Sequence, residues 1–544
     1  SPRGEIEELV AQVWRDLLKL DNIGAHDNFF ELGGHSLLAT QIISRLRDAT
    51  CKELPLSALF ETPTVAGLTA ALERASENAA NEPPPILPAP RGHPLPLSMN
   101  QEHLWRLERT IPGTHFFNVP CVYRLTGDLD VCALEQALRH IMARHELLRT
   151  VFVELDGRPV QLTKEFPAFA LPVLDLRSGS ADEISQKTAD LILRERQAPF
   201  DLSVGPLIRP KLLRLTANEH LLLLTLHHII CDQWSLRLFR SELAALYNAW
   251  SQGRQCSLPR VAIQFGDYAY WERRSIDSDF MRVQLEYWTK RLTEPAPQLE
   301  SGLRRQSDRR GGFAASHHPV ELSNAQWRRL KWVAARETCT PFMILVAALS
   351  VVLFRLFGKT DVRIATLVAN RRRRETELTF GNFVNTLILQ ISHSKQMSFT
   401  ELLKHVRAVT LAAYAHQELP FEQLAQRLEQ EQGIERSALF HALFMYQNMT
   451  PQRTEAAGIA FAPLTAHQLG IGRNLSLTHL DLVLDLAEEP TRLAGTLTYN
   501  SACFEKTAVA ELANDLTRTL DLIAVAPEQN VARAFLNERA QPSG

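Results

Sequence analysis

Two adjacent histidines with an aspartate four residues beyond, in "LTLHHIICDQWS" (Leu224 to Ser235), are the residues whose types and spacing most directly suggest chemistry. Three chemistries are open at this point. In a helix, His228 and Asp232 would share a face at i, i+4, as metal ligands often do. In a strand, His227 and His228 would point to opposite faces, so that one enters a site while the other packs. The third account is a buried structural pair. The leucine-rich run before the histidines favours the strand, and no third metal ligand lies close in sequence. The setting is a strand end, a short turn carrying Asp232, and an amphipathic helix with Leu236, Phe239, Leu243, Leu246 and Trp250 on one face. Strand ends followed by loops hold reacting groups rigidly. A neutral imidazole there can take a proton from an attacking nucleophile, a role worth roughly 10²–10⁴-fold.

A second candidate is Ser36, in "DNFFELGGHSLLATQIISRLR" (Asp27 to Arg47). A Gly-Gly turn precedes it, and Leu37, Leu38, Ile42, Ile43 and Leu46 follow with helical spacing. Serine at a helix head is often an N-cap. The same position favours an anion, so a phosphate ester on Ser36 would lie in a favourable field.

The elements that hold these residues follow from periodicity. Ile6, Leu9, Val10, Val13, Trp14 and Leu17 form one helix face, and Val65 to Leu72 forms another, so residues 1–75 read as a small helical bundle. Residues 76–95 are proline-rich and are expected to be an extended, semi-rigid linker. Beyond them, strand-like runs at Cys121, His220, Asp361 and Asn385 alternate with helical patterns at 132–149, 235–250 and 341–357. That mixture predicts α/β lobes. The length after the linker exceeds one ordinary core, which places a division near 275–310: a first lobe over 96–275 and a second over 276–544.

Lys+Arg 59 against Asp+Glu 61 leaves almost no net charge, so nothing asks for nucleic acid. The longest apolar run, Phe342 to Phe354, falls short of the roughly 20 residues of a membrane helix. The seven cysteines are odd in number and scattered, without a CxxC pair, which favours free thiols in a cytoplasmic setting. The N-terminus lacks the pattern of a signal peptide, and both ends look cut from something longer.

"DNFFELGGHSLL" closely resembles the motif of peptidyl carrier proteins of nonribosomal peptide synthetases. By that resemblance Ser36 carries a covalent 4'-phosphopantetheine arm, whose thiol holds an aminoacyl or peptidyl thioester. "HHIICDQWS" resembles the HHxxxD motif of the condensation domains of the same synthetases, a multidomain architecture in which the small all-α carrier precedes two chloramphenicol-acetyltransferase-like α/β lobes in a V. "LSMNQEHLWRLE", "RHELLRTVF", "FGDYAYWER", "NRRRRETELTFGNFVNTL", "HQELPFEQL" and "RSALFHALFMYQN" match the family's other motifs in order over residues 97–448, and Leu480 to Phe504 looks like its crossover segments and final strands. The resemblance implies that His228 faces the reaction centre, that His227 is structural support, and that Asp232 is structural through a salt bridge to Arg371. Arg372, Arg373 and Arg374 are read as a solvated basic run. Asn385 and Thr386 lie by analogy near the tunnel and carry no assigned chemistry.

Two departures stand out. Gln233 replaces the glycine usual after the aspartate, near the acceptor side of the channel, where it would narrow the passage or supply a hydrogen bond. Glu418 stands where aspartate is common. Epimerization, heterocyclization and three-histidine variants do not match, and the "GGHS" carrier feeding the domain directly implies an L-configured donor. The implied activity is amide formation between the carrier-borne donor thioester and the amine of an aminoacyl thioester on a downstream carrier. The implied partners are a phosphopantetheinyl transferase, an upstream adenylation domain, and downstream adenylation and carrier domains; no metal is implied. The alternatives are an ester-forming domain with an alcohol acceptor and a non-catalytic recruiting domain of the same fold.

Overall fold

The computed structural model describes residues 3–34, 36–75, 84–110, 113–166, 169–296, 315–357, 361–394, 396–448, 453–464, 480 and 482–531. Four helices come first: α1 (Glu5–Leu18), α2 (Ser36–Thr50), α3 (Leu56–Glu61) and α4 (Val65–Arg74). The α1 helix has Glu5, Glu7 and Glu8 in its first turn and Arg15 in its last, each matched to the helix dipole, and buries Val10, Val13 and Trp14. Trp14 meets Phe29 edge-on at 5.3 Å, and Phe30 bridges Phe29 to Phe60, so the two phenylalanines of the "NFF" stretch serve the core of this bundle.

The proline-rich segment is held down where it is described. Trp271 Nε1 donates to the Pro84 carbonyl, the Ala89 amide donates to Asp267, Arg91 pairs with Asp267 and Glu146, and Ile86 is 6% exposed. Residues 84–91 of the expected linker lie along the next domain, because isoleucine and alanine between the prolines supply apolar anchors. Residues 76–83 lie outside the described residues.

The first lobe runs through β1 (Leu95–Pro96), α5 (Met99–Thr110), β2 (Asn118–Thr126), α6 (Val131–Arg144), β3 (Thr150–Leu155), β4 (Arg158–Thr163), β5 (Val173–Asp175), α7 (Ala181–Gln197), β6 (Ile208–Arg214), β7 (Glu219–His227), α8 (Gln233–Trp250), α9 (Phe265–Ser275) and α10 (Asp279–Thr289). Strand β7 is buried at nearly every position because both faces are covered, and five of its nine residues are leucine. Leu222, Leu224 and Leu226 join the main core, while Leu221 and Leu223 pack with Val122, Leu213 and Ile192 of α7.

The chain after residue 314 forms β8 (Ala315–Ser323), α11 (Asn324–Arg336), α12 (Pro341–Phe357), β9 (Asp361–Val368), β10 (Asn385–Ser392), α13 (Phe399–Ala415), α14 (Phe421–Gln432), β11 (Ala442–Gln447), β12 (Thr454–Ala456), β13 (Ile459–Pro463), β14 (Leu482–Glu489), β15 (Arg492–Asn500) and α15 (Lys506–Val525), all but β12 and β13 in the second lobe. The sheet of that lobe has the order β10-β9-β11-β14-β15-β8. Apolar α12 is the buried helix of this lobe, and among the described residues no single helix is long and apolar enough to cross a membrane.

The other large sheet has the order β12-β13-β2-β7-β6-β5. Strands β12 and β13, late in sequence, therefore complete the first lobe's sheet, with Phe461 paired to Leu125 and Ala462 to Arg124. This corrects two expectations. The crossover lies at Thr454–Pro463, not within Leu480 to Phe504, whose strands β14 and β15 are interior to the second sheet. The span 276–544 is likewise not one lobe in space. A two-stranded ribbon contributed at an exposed sheet edge leaves no local pattern that says which sheet it joins.

Candidate active site

Strand β7 ends at His227, and the chain turns over His228 to Cys231 before α8 begins. His228 is thus in the turn, not on the strand. Its amide donates to the Phe117 carbonyl, and Nδ1 lies 2.7 Å from the Cys231 carbonyl oxygen. A carbonyl can only accept, so the Nδ1 proton is used there and Nε2 keeps its lone pair. The ring is half-buried.

His227 takes the opposite tautomer. Its Nδ1 accepts from the Ile229 amide at 3.1 Å, which leaves the proton on Nε2, 3.6 Å from Glu108, long for a hydrogen bond. The ring is 1% exposed and packs against Phe117 and Phe200. Burial pushes its pKa down, outweighing the opposing pull of Glu108.

Asp232 has Ser235, Phe383 and Arg371 as its partners. It caps α8, accepting from the Ser235 amide at 2.7 Å, and also accepts from the Ser235 hydroxyl at 2.8 Å and the Phe383 amide at 3.1 Å. Arg371 Nη2 lies 3.2 Å from both carboxylate oxygens. The same guanidinium donates to the carbonyls of Thr376, Thr379 and Gly381, and its face lies 4.0 Å from the Phe383 ring centre. Burial pushes the Arg371 pKa down, against the pull of Asp232. The pair therefore pins the loop before β10 to the head of α8, joining the two lobes at the histidine turn. His228 and Asp232 do not converge as ligands would, and among the described residues no three His, Cys, Asp or Glu side chains do.

Asn382, part of "TFGNFVNTL" but given no role from sequence, is 2% exposed and donates to the His228 carbonyl at 2.9 Å. Among the described residues its Oδ1 has no hydrogen-bond partner, leaving an acceptor beside the histidine turn. The signal that finds it is the buried amide in a loop otherwise closed by Gly381, where a Cβ would sit 1.9 Å from the Phe265 ring. Asn385 is saturated by the Gln417 and Leu419 carbonyls and the Phe421 amide, so it locks the 417–421 loop. Asn382, Asn385 and Thr386 line a cavity of about 30 Å³ with Asn100, Tyr268 and Glu272. Gln233 is exposed as the first residue of α8. Arg372 pairs with Glu418 at 2.9 Å and Arg373 with Glu375 at 3.4 Å, so the expectation of a solvated run is corrected at both positions, where neighbouring carboxylates face them.

The second candidate site fits a phosphopantetheine ester in its backbone. Gly33 has φ +92°, and a Cβ on Gly34 would lie 2.5 Å from the Phe29 ring, so both glycines are needed to bring the chain tightly over the core into α2. Helix α2 then starts at Ser36, whose N-terminal amides suit a phosphate.

The chain matches the condensation-domain family over residues 92–542 and the phosphopantetheine attachment site family over residues 8–72. It belongs to the condensation-domain family, joined to a carrier domain. Subunits B and C of linear gramicidin synthase from Brevibacillus parabrevis are similar to it, at 39% identity over 99% of this chain and 37% over 98%. The chain spans only 10% and 7% of those relatives. Among solved structures, the X-domain from teicoplanin biosynthesis is similar at 25% identity with a TM-score of 0.70, over 82% of this chain and 99% of that one. The chain is thus a condensation domain preceded by a carrier domain with a phosphopantetheine attachment site, similar to parts of nonribosomal peptide synthetase subunits.

Proposed function

We propose that His228 lies at the reaction centre of an amide-forming transfer in which Ser36's domain delivers the donor. The observation that carries this reading is the 2.7 Å contact of His228 Nδ1 with the Cys231 carbonyl, which leaves Nε2 free to accept a proton from an amine. Bound on Ser36, phosphopantetheine supplies a thiol that carries the acyl group as a thioester. His228 Nε2 would receive the proton that the acceptor amine gives up as its nitrogen replaces sulfur on the acyl carbon, and would return that proton to the departing thiolate of the arm. Holding the two reactants together contributes much of the rate, and tethering raises the donor's effective concentration. In this reading Asp232 and Arg371 keep the turn in place, His227 buttresses it, and Gln233 borders the acceptor channel.

The same reading assigns a carrier to residues 1–75, a linker to 76–95 and the condensation domain to the remainder. The donor is L-configured, the acceptor is an aminoacyl thioester on a downstream carrier, and adenylation domains on either side supply both. A phosphopantetheinyl transferase installs the arm, in a cytoplasmic setting consistent with seven free cysteines. Ser36→Ala is expected to lose the mass gain on treatment with a phosphopantetheinyl transferase. His228→Ala, with a loaded donor and a soluble amine acceptor, is expected to lose product roughly 10²-fold or more. Loading of Ser36→Ala, or full turnover by His228→Ala, refutes the corresponding assignment.

A further inference from the structure

We infer that Glu377 is the residue on which this chain's own carrier docks, holding the head of α2 beside the histidine turn. The inference rests on the reading of residues 1–75 as the donor carrier. Two side chains of α2 reach Glu377. Gln41 Nε2 donates to Oε1 at 3.2 Å, and Arg45 Nη2 lies 3.5 Å from Oε2. Gln41 is 7% exposed, so the contact excludes water on the carrier side. Positions 41 and 45 are one helical turn apart on one face, five and nine residues after Ser36, so the face that meets Glu377 begins close to the attachment serine.

The seat is rigid for reasons internal to the condensation domain. Glu377 follows the short turn Arg374–Thr376, and its own carbonyl accepts from Trp234 Nε1 at 2.8 Å. Two guanidiniums lie over the Trp234 ring, Arg237 at 4.3 Å and Arg371 at 5.6 Å from its centre. Arg371 in turn holds the Thr376 carbonyl and Asp232. The carboxylate that receives the carrier is therefore one residue from a carbonyl fixed by the same arginine that fixes the catalytic turn. A second contact, between α3 of the carrier and α13, sets the orientation about this point.

The test uses the full chain, loaded on Ser36 with an acyl group, and a soluble amine acceptor. Transfer from the carrier-borne donor is compared with transfer from a free acyl-cysteamine thioester. Arg45→Glu and Glu377→Arg are each expected to lower the ratio of carrier-borne to free-donor rates roughly tenfold, the scale of turning a half-exposed ion pair into a like-charge contact. The Arg45→Glu/Glu377→Arg double variant is expected to recover most of that ratio. Small-angle scattering of the unloaded chain reads docking without catalysis: each single variant should broaden the interdomain distances, and the double should restore them. Unchanged scattering and rate ratio in Glu377→Arg, or a double variant no better than the singles, overturns the inference. Loss of transfer in the unsubstituted chain from both donors, with scattering responding as described, refutes the proposed reaction and leaves the docking seat standing.

Discussion

Replacing Asp232 tests whether the two lobes are tied at the histidine turn by one buried ion pair. Both side chains are almost inaccessible, Asp232 at 1% and Arg371 at 0% exposure. Asp232→Ala removes the acceptor of four groups: Arg371, the Ser235 amide, the Ser235 hydroxyl and the Phe383 amide. The guanidinium keeps three carbonyl partners but no countercharge. Breaking such a pair from one side costs about 3–5 kcal/mol, because the remaining charge cannot return to water, and loss of the α8 cap adds about 1 kcal/mol. Asp232→Asn retains an oxygen for the cap and should cost less. Arg371→Met fills the site between the Trp234 and Phe383 rings with an apolar chain. The double variant Asp232→Asn/Arg371→Met should therefore be more stable than the sum of its parts by roughly 2 kcal/mol. The assay is urea denaturation followed by tryptophan fluorescence, comparing midpoints of the condensation-domain transition. Additivity of the singles within about 0.5 kcal/mol would falsify the pairing argument.

Three further perturbations follow from the same geometry. His393 is 5% exposed, stacks on Phe354 at 5.0 Å, and is pushed down to about 4 chiefly by burial. From the ordinary value near 6.5 down to that value the unfolded chain binds the proton and the native state does not, so stability is full above about pH 6.5 and falls by about 3 kcal/mol toward pH 4. His393→Phe should flatten that part of the stability profile; an unchanged slope refutes the assignment. Gly381→Ala forces a methyl against the buried Phe265 ring and should cost about 1–3 kcal/mol with a slower transfer rate, measured by thermal unfolding and product formation. Asp267→Ala removes the acceptor of the Ala89 amide, of Arg91 and of the Gln264 amide at the head of α9, and should speed limited proteolysis within residues 84–91 while lowering the stability of the folded domain by about 1 kcal/mol.

The residue types and their order settle a great deal alone. The apolar stripe of α1, the Gly-Gly entry to α2, the continuous leucines of β7 and the Asp232 cap ahead of α8 are local patterns, because each depends on neighbours within a few positions. The motif order identifies the family for the same reason. What sequence cannot carry is contact between distant segments. Arg371 meets Asp232 across 139 positions, Asn382 reaches His228 across 154, and β13 joins a sheet begun at β2. The roles of Asn382 and Glu377 stayed hidden because a buried amide and a turn carboxylate look ordinary until their partners are known. Even the histidine pair shows the division: spacing suggests one active and one packed ring, but only folding sets the turn that gives His228 and His227 opposite tautomers. Local order is written in periodicity, whereas proton position and lobe contact depend on which carbonyls and charges the tertiary structure brings within about 3 Å.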